Sequence, residues 1–266
     1  MIKRLVYKAT IFGLSNVFFT ITQNLFSRRI NNFNNLKHLF IDKNGLEIGG
    51  PSNIFSGKGA LPLYPIVNTL DGCNFAQKTI WEGKINEGRN YLYDNNKKKG
   101  YQFICEATNL SQIPSEKYDF LLTAHVLEHI ANPLKALTEW VRVIKNQGIL
   151  TIVVPHKDGT FDHKRPTTHI QHLIEDYEKD TQEDDLTHLE EILNLHDLKL
   201  DPQAGTAEQF TNRSRKNFEY RGMHHHVFTT NLMIEIFNYL NIRLIDIQPR
   251  LPNNIIIIGK KSTHTT

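Results

Sequence analysis

Cysteine is nearly absent, with Cys73 and Cys105 the only two in 266 residues. Two thiols exclude a disulfide framework and an all-thiolate zinc site, and their place inside apolar, strand-like runs points to a reducing compartment. No excess of one charge is present either: 31 basic side chains face 28 acidic ones for a net of +3, so no nucleic-acid partner is expected. The 15 glycines and 10 prolines fall in no period, which excludes collagen-like and other repeat architectures. Charged residues at 22% and apolar ones at 39% fit a folded chain long enough to bury a substantial core.

A clean membrane-spanning run is also missing. The best candidate, Leu5 to Phe26, is broken by Lys8, Ser15, Asn16, Gln23 and Asn24, whereas a spanning helix needs about 20 predominantly apolar residues. No small-residue cleavage site follows it, so it does not read as a signal peptide, and a cytoplasmic location is expected. Leu5, Phe12, Phe19 and Phe26, with Ile11, Phe18 and Leu25 beside them, make an apolar stripe on a helix that packs on the rest of the chain. The alternative is a basic amphipathic helix, led by Lys3 and Arg4, making peripheral membrane contact through residues 1–26. Residues 1–40 are thus a helix and an Asn-rich linker, 41–260 the main domain and 261–266 a polar tail.

Within the main domain, apolar segments alternate with connections: Gly45–Ile48, Ile66–Cys73, Tyr101–Cys105, Phe120–Thr123 and Ile149–Val154 read as strands. Between the last two the spacing predicts a helix capped by Asn132, with Pro133 at its first position, running to Asn146 with Gly148 just past its end. Apolar strands alternating with helices predict an α/β fold with a doubly wound, mostly parallel sheet of seven strands, buried on both faces, with ligands at the carboxyl ends of the strands. Thr79 to Gly100, with Lys97–Lys99, reads as a solvated loop. Residues 156–226 hold nine of the 13 histidines and no strand pattern, which suggests a His-rich cap inserted over one end of the sheet. Thr229–Leu240 then reads as a helix, and Ile242–Ile247 and Asn254–Ile258 as the closing strands.

Strand Leu46-Glu47-Ile48 runs into Gly49-Gly50-Pro51, a turn that lets the backbone come close to a ligand. A carboxylate just before the glycines disfavours a pyrophosphate and would suit a ligand carrying an amino group. The G-x-G-x-x-G spacing of dinucleotide sites is absent, which argues against a nicotinamide oxidoreductase.

The run Tyr118-Asp119-Phe120-Leu121-Leu122-Thr123-Ala124-His125-Val126-Leu127-Glu128-His129-Ile130, then Asn132-Pro133, a helix with Arg142-Val143-Ile144, Gly148 and Leu150–Pro155, resembles the fourth-to-fifth-strand block of the class I S-adenosylmethionine-dependent methyltransferases of the type 11-like kind. The glycine turn and the segment His226-Val227-Phe228-Thr229 extend the resemblance over roughly residues 42–156 and 224–260. It implies a Rossmann-like methyltransferase that uses S-adenosyl-L-methionine. In it, Glu47 holds the methionine amino group, Gly49 and Gly50 pass beneath the cofactor, and Asn74 meets the ribose, with Asp71 the rival for that role. Glu106 and Ala107 contact the adenine, and His125 lines the cofactor. Pro51 and Asn53 stand where the family pattern has further glycines.

An oxygen acceptor must lose a proton, and the segment after the fifth candidate strand offers imidazoles for that task. His163 or His156 is the expected base, oriented by Asp158 or Asp162. The same groups, with His169, His172 and His224–His226, show no recognised metal-ligand spacing, so no metal is expected. Glu175–Asp185 reads as a solvated acidic face. The resemblance makes a sugar, glycan or other small-molecule hydroxyl the leading acceptor. A quinone or lipid at a membrane, and a non-catalytic methyltransferase-fold partner protein, are the alternatives. The acceptor atom, the pathway and the oligomeric state stay open at this level.

Overall fold

The computed structural model describes residues 7, 10, 11, 29–95, 97–250 and 253–262. The apolar stripe Leu5, Phe12, Phe19 and Phe26 therefore lies outside the described residues, apart from neighbours such as Tyr7, whose hydroxyl donates to Asp197 at 2.7 Å. No described helix is long and apolar enough to cross a membrane.

After a short helical turn, α1 (Phe33–Leu36), come ten strands: β1 (Asn44–Ile48), β2 (Thr69–Asn74), β3 (Lys78–Thr79), β4 (Gly83–Lys84), β5 (Gly88–Tyr93), β6 (Lys98–Ile104), β7 (Tyr118–Ala124), β8 (Ile144–Pro155), β9 (Ile242–Arg250) and β10 (Asn254–Lys261). β3 and β4 form a small hairpin, and the other eight make one sheet in the order β5-β6-β2-β1-β7-β8-β10-β9. The strands β6, β2, β1, β7 and β8 are parallel, β5 is antiparallel at one edge, and at the other β10 runs antiparallel between β8 and β9, so that β9 has the direction of the central strands. The chain runs outward from β1 to β2 and β6, then returns to β7 on the other side of β1. That reversal opens a crevice at the carboxyl ends of the strands.

The strands bury both faces. In β7, Leu121 packs into one apolar cluster while Phe120 and Leu122 pack into the other; in β10, Ile255 and Ile257 alternate with Ile256 and Ile258 in the same way. One face is covered by the helices α2 (Pro133–Val143), α3 (Ile170–Glu178) and α7 (Thr230–Tyr239). The other is covered by α1 and the β1–β2 connection, whose Phe55, Leu61, Leu63 and Tyr64 supply the apolar surface without a regular α-helix.

Asn132 caps α2 as its sequence promised, its Oδ1 accepting from the Lys135 amide at 3.0 Å, with Pro133 in the first turn. The helix stops at Val143 rather than Asn146, because Ile144 already pairs with Tyr118 in the sheet. Gly148 serves a tight turn inside β8, where a Cβ would stand 2.8 Å from the Lys145 carbonyl oxygen.

The predicted loop at 79–100 is instead the β5–β6 ribbon, giving an eighth strand. Lys97 and Lys99 are exposed as expected, but Lys98 is half-buried: its ammonium donates to the carbonyls of Tyr64, Pro65 and Val67 at 3.1, 3.3 and 2.7 Å, tying the ribbon to the β1–β2 connection.

Residues 156–226 hold no strand among the described residues. They contain α3, α4 (Leu189–Leu195), α5 (Ala207–Arg215) and α6 (Asn217–Tyr220), gathered around a small apolar cluster of Ile192, Ala204, Phe210 and Met223. A buried guanidinium holds the segment together: Arg165, 1% exposed, donates to Asp162, Glu191 and the carbonyls of His224 and His225.

Candidate functional site

The crevice beside β1 encloses a cavity of about 350 Å³, within the range of small-molecule sites. Its floor is the set of loops that leave β1, β2, β6 and β7, represented by Gly49, Asn74, Glu106, Ala107 and His125; its far wall is given by Thr160, Phe161, Glu183, Arg221 and His224 from the cap.

Gly49 has φ +75, and a Cβ there would lie 2.3 Å from Val126 Cγ2. Glycine is therefore required both by conformation and by the close pass of the next loop. Glu47 departs from its expected place. It is fully buried and absent from the cavity wall. Its carboxylate accepts from the hydroxyls of Tyr91 at 2.6 Å and Tyr64 at 2.8 Å and from the Ser52 amide at 3.1 Å. Burial pushes its pKa up to about 7, against the pull of those donors. The carboxylate thus supports the turn from behind, and a Cβ on Gly50 would meet it at 2.2 Å. Gly50 lies behind the wall as well, between Gly49 and the cis peptide to Pro51.

The two residues expected to compete for the ribose lie in different places. Asn74 ends β2 in the cavity wall, with its amide donating to the Gly50 carbonyl at 3.3 Å. Asp71 sits further back in the strand and is held by the Tyr101 amide at 2.8 Å and the Tyr118 hydroxyl at 2.7 Å. Glu106 and Ala107 both line the cavity. Glu106 is engaged by Arg221 at 2.8 Å, and the Ala107 carbonyl accepts from the Trp140 indole at 3.0 Å. The free thiols of Cys73 and Cys105 share this wall with their sulfurs 3.3 Å apart.

His125 follows β7 in the left-handed region (φ 57), a conformation that non-glycine residues seldom adopt outside functional or turn positions. Its Nδ1 lies 3.4 Å from Glu128. Glu128 and His129 occupy the 3₁₀ turn at 127–129, and His224 arrives from the cap. Burial alone would raise the Glu128 carboxyl, yet the imidazoles of His125, His129 and His224 hold it below the usual range. Burial pushes His129 down to about 4. Asp162, 2.6 Å from His224 Nδ1, resists its own burial because His224 and Arg165 pull it down to about 2.

The expected catalytic group is not brought to the cavity. His156 accepts from the Asp158 amide with Nδ1 at 3.2 Å, Asp158 itself is 76% exposed, and His163 pairs with Asp197 at 3.0 Å. None of the three lines the cavity: Lys157–Gly159 forms a 3₁₀ turn between Pro155 and Thr160, which do. Reasoning from sequence instead missed Glu128, His129 and His224 as a unit. The Leu-Glu-His run and the three consecutive histidines were visible, but the fold alone unites them. The acidic run is likewise not uniformly solvated: Asp176 and Glu183 are buried, and Glu183 pairs with Arg221 at 2.9 Å on the cavity wall.

The family model described as a methyltransferase domain matches residues 59–152. No curated protein sequence matches the chain. Among solved structures, the chain is similar to an S-adenosylmethionine-dependent methyltransferase from Thermotoga maritima, at 15% identity and a TM-score of 0.43, covering 96% of this chain and 100% of that one. It is also similar to one from Aquifex aeolicus, at 14% identity and a TM-score of 0.46 over 90% and 92% of the two chains. A third is the 1,6-didemethyltoxoflavin-N1-methyltransferase of Burkholderia thailandensis, solved with bound 1,6-didemethyltoxoflavin and S-adenosylhomocysteine, at 11% identity, 98% and 87% coverage and a TM-score of 0.46.

Proposed function

We propose that this chain is a class I S-adenosylmethionine-dependent methyltransferase, a reading supported by its sheet order and by the methyltransferase domain matched over residues 59–152, and that it methylates a hydroxyl of a sugar or another small molecule. One observation carries the reading: a single cavity joins the loops that leave β1, β2, β6 and β7 to imidazoles and aromatic rings around its acceptor side.

The residues present fit the cofactor. Gly49 keeps the backbone open where a side chain would clash with Val126. Asn74 has its amide committed to Gly50, which leaves its carbonyl oxygen to accept from one ribose hydroxyl, where a carboxylate could accept from both. Ala107 and Cys105 offer a small, mostly apolar surface to a base ring. When bound, S-adenosylmethionine supplies an electrophilic methyl group carried on a sulfonium.

What the chain itself contributes is alignment, exclusion of water and a place for one proton. Trp81 and Phe161 line the cavity and give it aromatic surface suited to the apolar face of a sugar ring, with Thr160 and Asn253 as polar lining residues. His125 takes the hydroxyl proton, and Glu128 beside its Nδ1 stabilises the charge that the ring gains.

A panel of sugars, small polyols and amines incubated with the enzyme and methyl-labelled S-adenosylmethionine tests this. Label is expected on a hydroxyl acceptor, and His125→Ala is expected to slow turnover at saturating cofactor about 100-fold or more. Label on amines alone would overturn the acceptor class, and full turnover in the variant would overturn the role of His125.

A further inference from the structure

Glu128 is 1% exposed, and neither oxygen of its carboxylate has a hydrogen-bond partner. His125 Nδ1 stands 3.4 Å from Oε1, beyond a good hydrogen bond. A buried ionised carboxylate left in that state is costly unless a cation joins it. Two imidazoles stand beside it: one carboxylate oxygen and one ring nitrogen each from His129 and His224 lie within 4.8 Å of one another.

Both rings are already held through Nδ1. His129 Nδ1 bonds to the Met223 carbonyl at 2.9 Å, and His224 Nδ1 bonds to Asp162 at 2.6 Å. Asp162 is fixed in turn by Arg165 at 2.9 Å. A carbonyl or carboxylate on Nδ1 selects the tautomer that leaves Nε2 as a lone-pair donor, the outer-shell arrangement found behind metal-ligating histidines. We propose that Glu128, His129 and His224 bind one divalent first-row transition-metal ion at the acceptor end of the cavity.

Two imidazoles and one carboxylate suit zinc, iron, cobalt or manganese better than magnesium or calcium, which favour oxygen ligands throughout. Three protein ligands leave coordination positions free, and all three residues line the cavity, so those positions face the space that an acceptor would enter. If the methyltransferase reading holds, the acceptor class narrows to molecules that offer an oxygen donor to the ion, such as a sugar with neighbouring hydroxyls. Sequence spacing gives no sign of the site because two ligands come from the turn after β7 and the third from the far end of the cap.

Titration of the full chain with Co²⁺ after chelator treatment tests the proposal. One equivalent is expected to bind with visible absorption, and the paramagnetic ion is expected to broaden the NMR signals of the His129 and His224 rings while sparing those of His172 and His188. Glu128→Gln and His224→Gln are expected to weaken binding at least tenfold, and Asp162→Asn about 10- to 100-fold. His172→Gln, in the separate cluster with His188 and His226, is expected to leave that equivalent in place. The ring signals of the unaltered protein decide the matter even where a variant fails to fold. Absent broadening at His129 and His224, or cobalt lost only on His172→Gln, overturns the site. Calorimetry with S-adenosylmethionine on the metal-free chain separates the two readings: cofactor binding without a cobalt site refutes the metal alone, and a cobalt site without cofactor binding refutes the methyltransferase reading alone.

Discussion

Glu47 carries its proton further up the pH scale than an ordinary carboxyl, to about 7 from 4.5, because no solvent reaches it. Between those two values the folded chain holds a proton that the unfolded chain has released. Stability therefore falls as pH rises from about 4.5 to about 7 and is level above that, by an amount on the order of 3 kcal/mol. Glu47→Gln should flatten that stretch of the curve, as measured by urea unfolding at a series of pH values; an unchanged slope would mean that Glu47 titrates normally. At Gly49, alanine would need both a left-handed backbone and the volume occupied by Val126. Gly49→Ala is thus expected to weaken S-adenosylmethionine binding at least tenfold by calorimetry, and unchanged affinity would remove the turn from the site. Both residues were legible as a special turn in the sequence, but the direction of the Glu47 side chain was not. It depends on Tyr64 and Tyr91, which only the β1–β2 connection and the β5 edge bring within reach. His156 and His163 mislead for a related reason: proximity in sequence to the end of β8 does not survive the turn at Lys157–Gly159.

At the level of single elements, α2 is the best specified part of the chain. Asn132 caps it and also donates to the Asp176 carbonyl at 2.9 Å, so Asn132→Ala should cost about 1–2 kcal/mol. Trp140 on the same helix is fully buried between the sheet and the Ala107 carbonyl, and Trp140→Ala should cost about 3–5 kcal/mol. Denaturant midpoints check both, and a smaller loss for the tryptophan than for the cap would contradict this packing. Cap signals and apolar periodicity act over a few residues, so the helix and the central strands could be read from the sequence. β5 could not, because its alternation is weak and its pairing with β6 depends on Lys98 finding three carbonyls in a distant connection.

Taken whole, the described chain is a mostly parallel sheet whose carboxyl edge is closed by the His-rich segment. Two arginines do the joining: Arg165 inside the cap, and Arg221 between Glu183 and Glu106 at the cavity. Arg221→Leu leaves Glu183 buried without its cation, so the cap is expected to become sensitive to limited proteolysis while the sheet resists. Equal resistance in both would assign the cap's attachment elsewhere. The central claim is that the cavity beside β1 takes S-adenosylmethionine, and calorimetric titration with that cofactor and its demethylated product, with NADH as the control, meets it most directly. Micromolar binding of the first two and none of NADH is the predicted result; heat from NADH alone, or from none of the three, would contradict it.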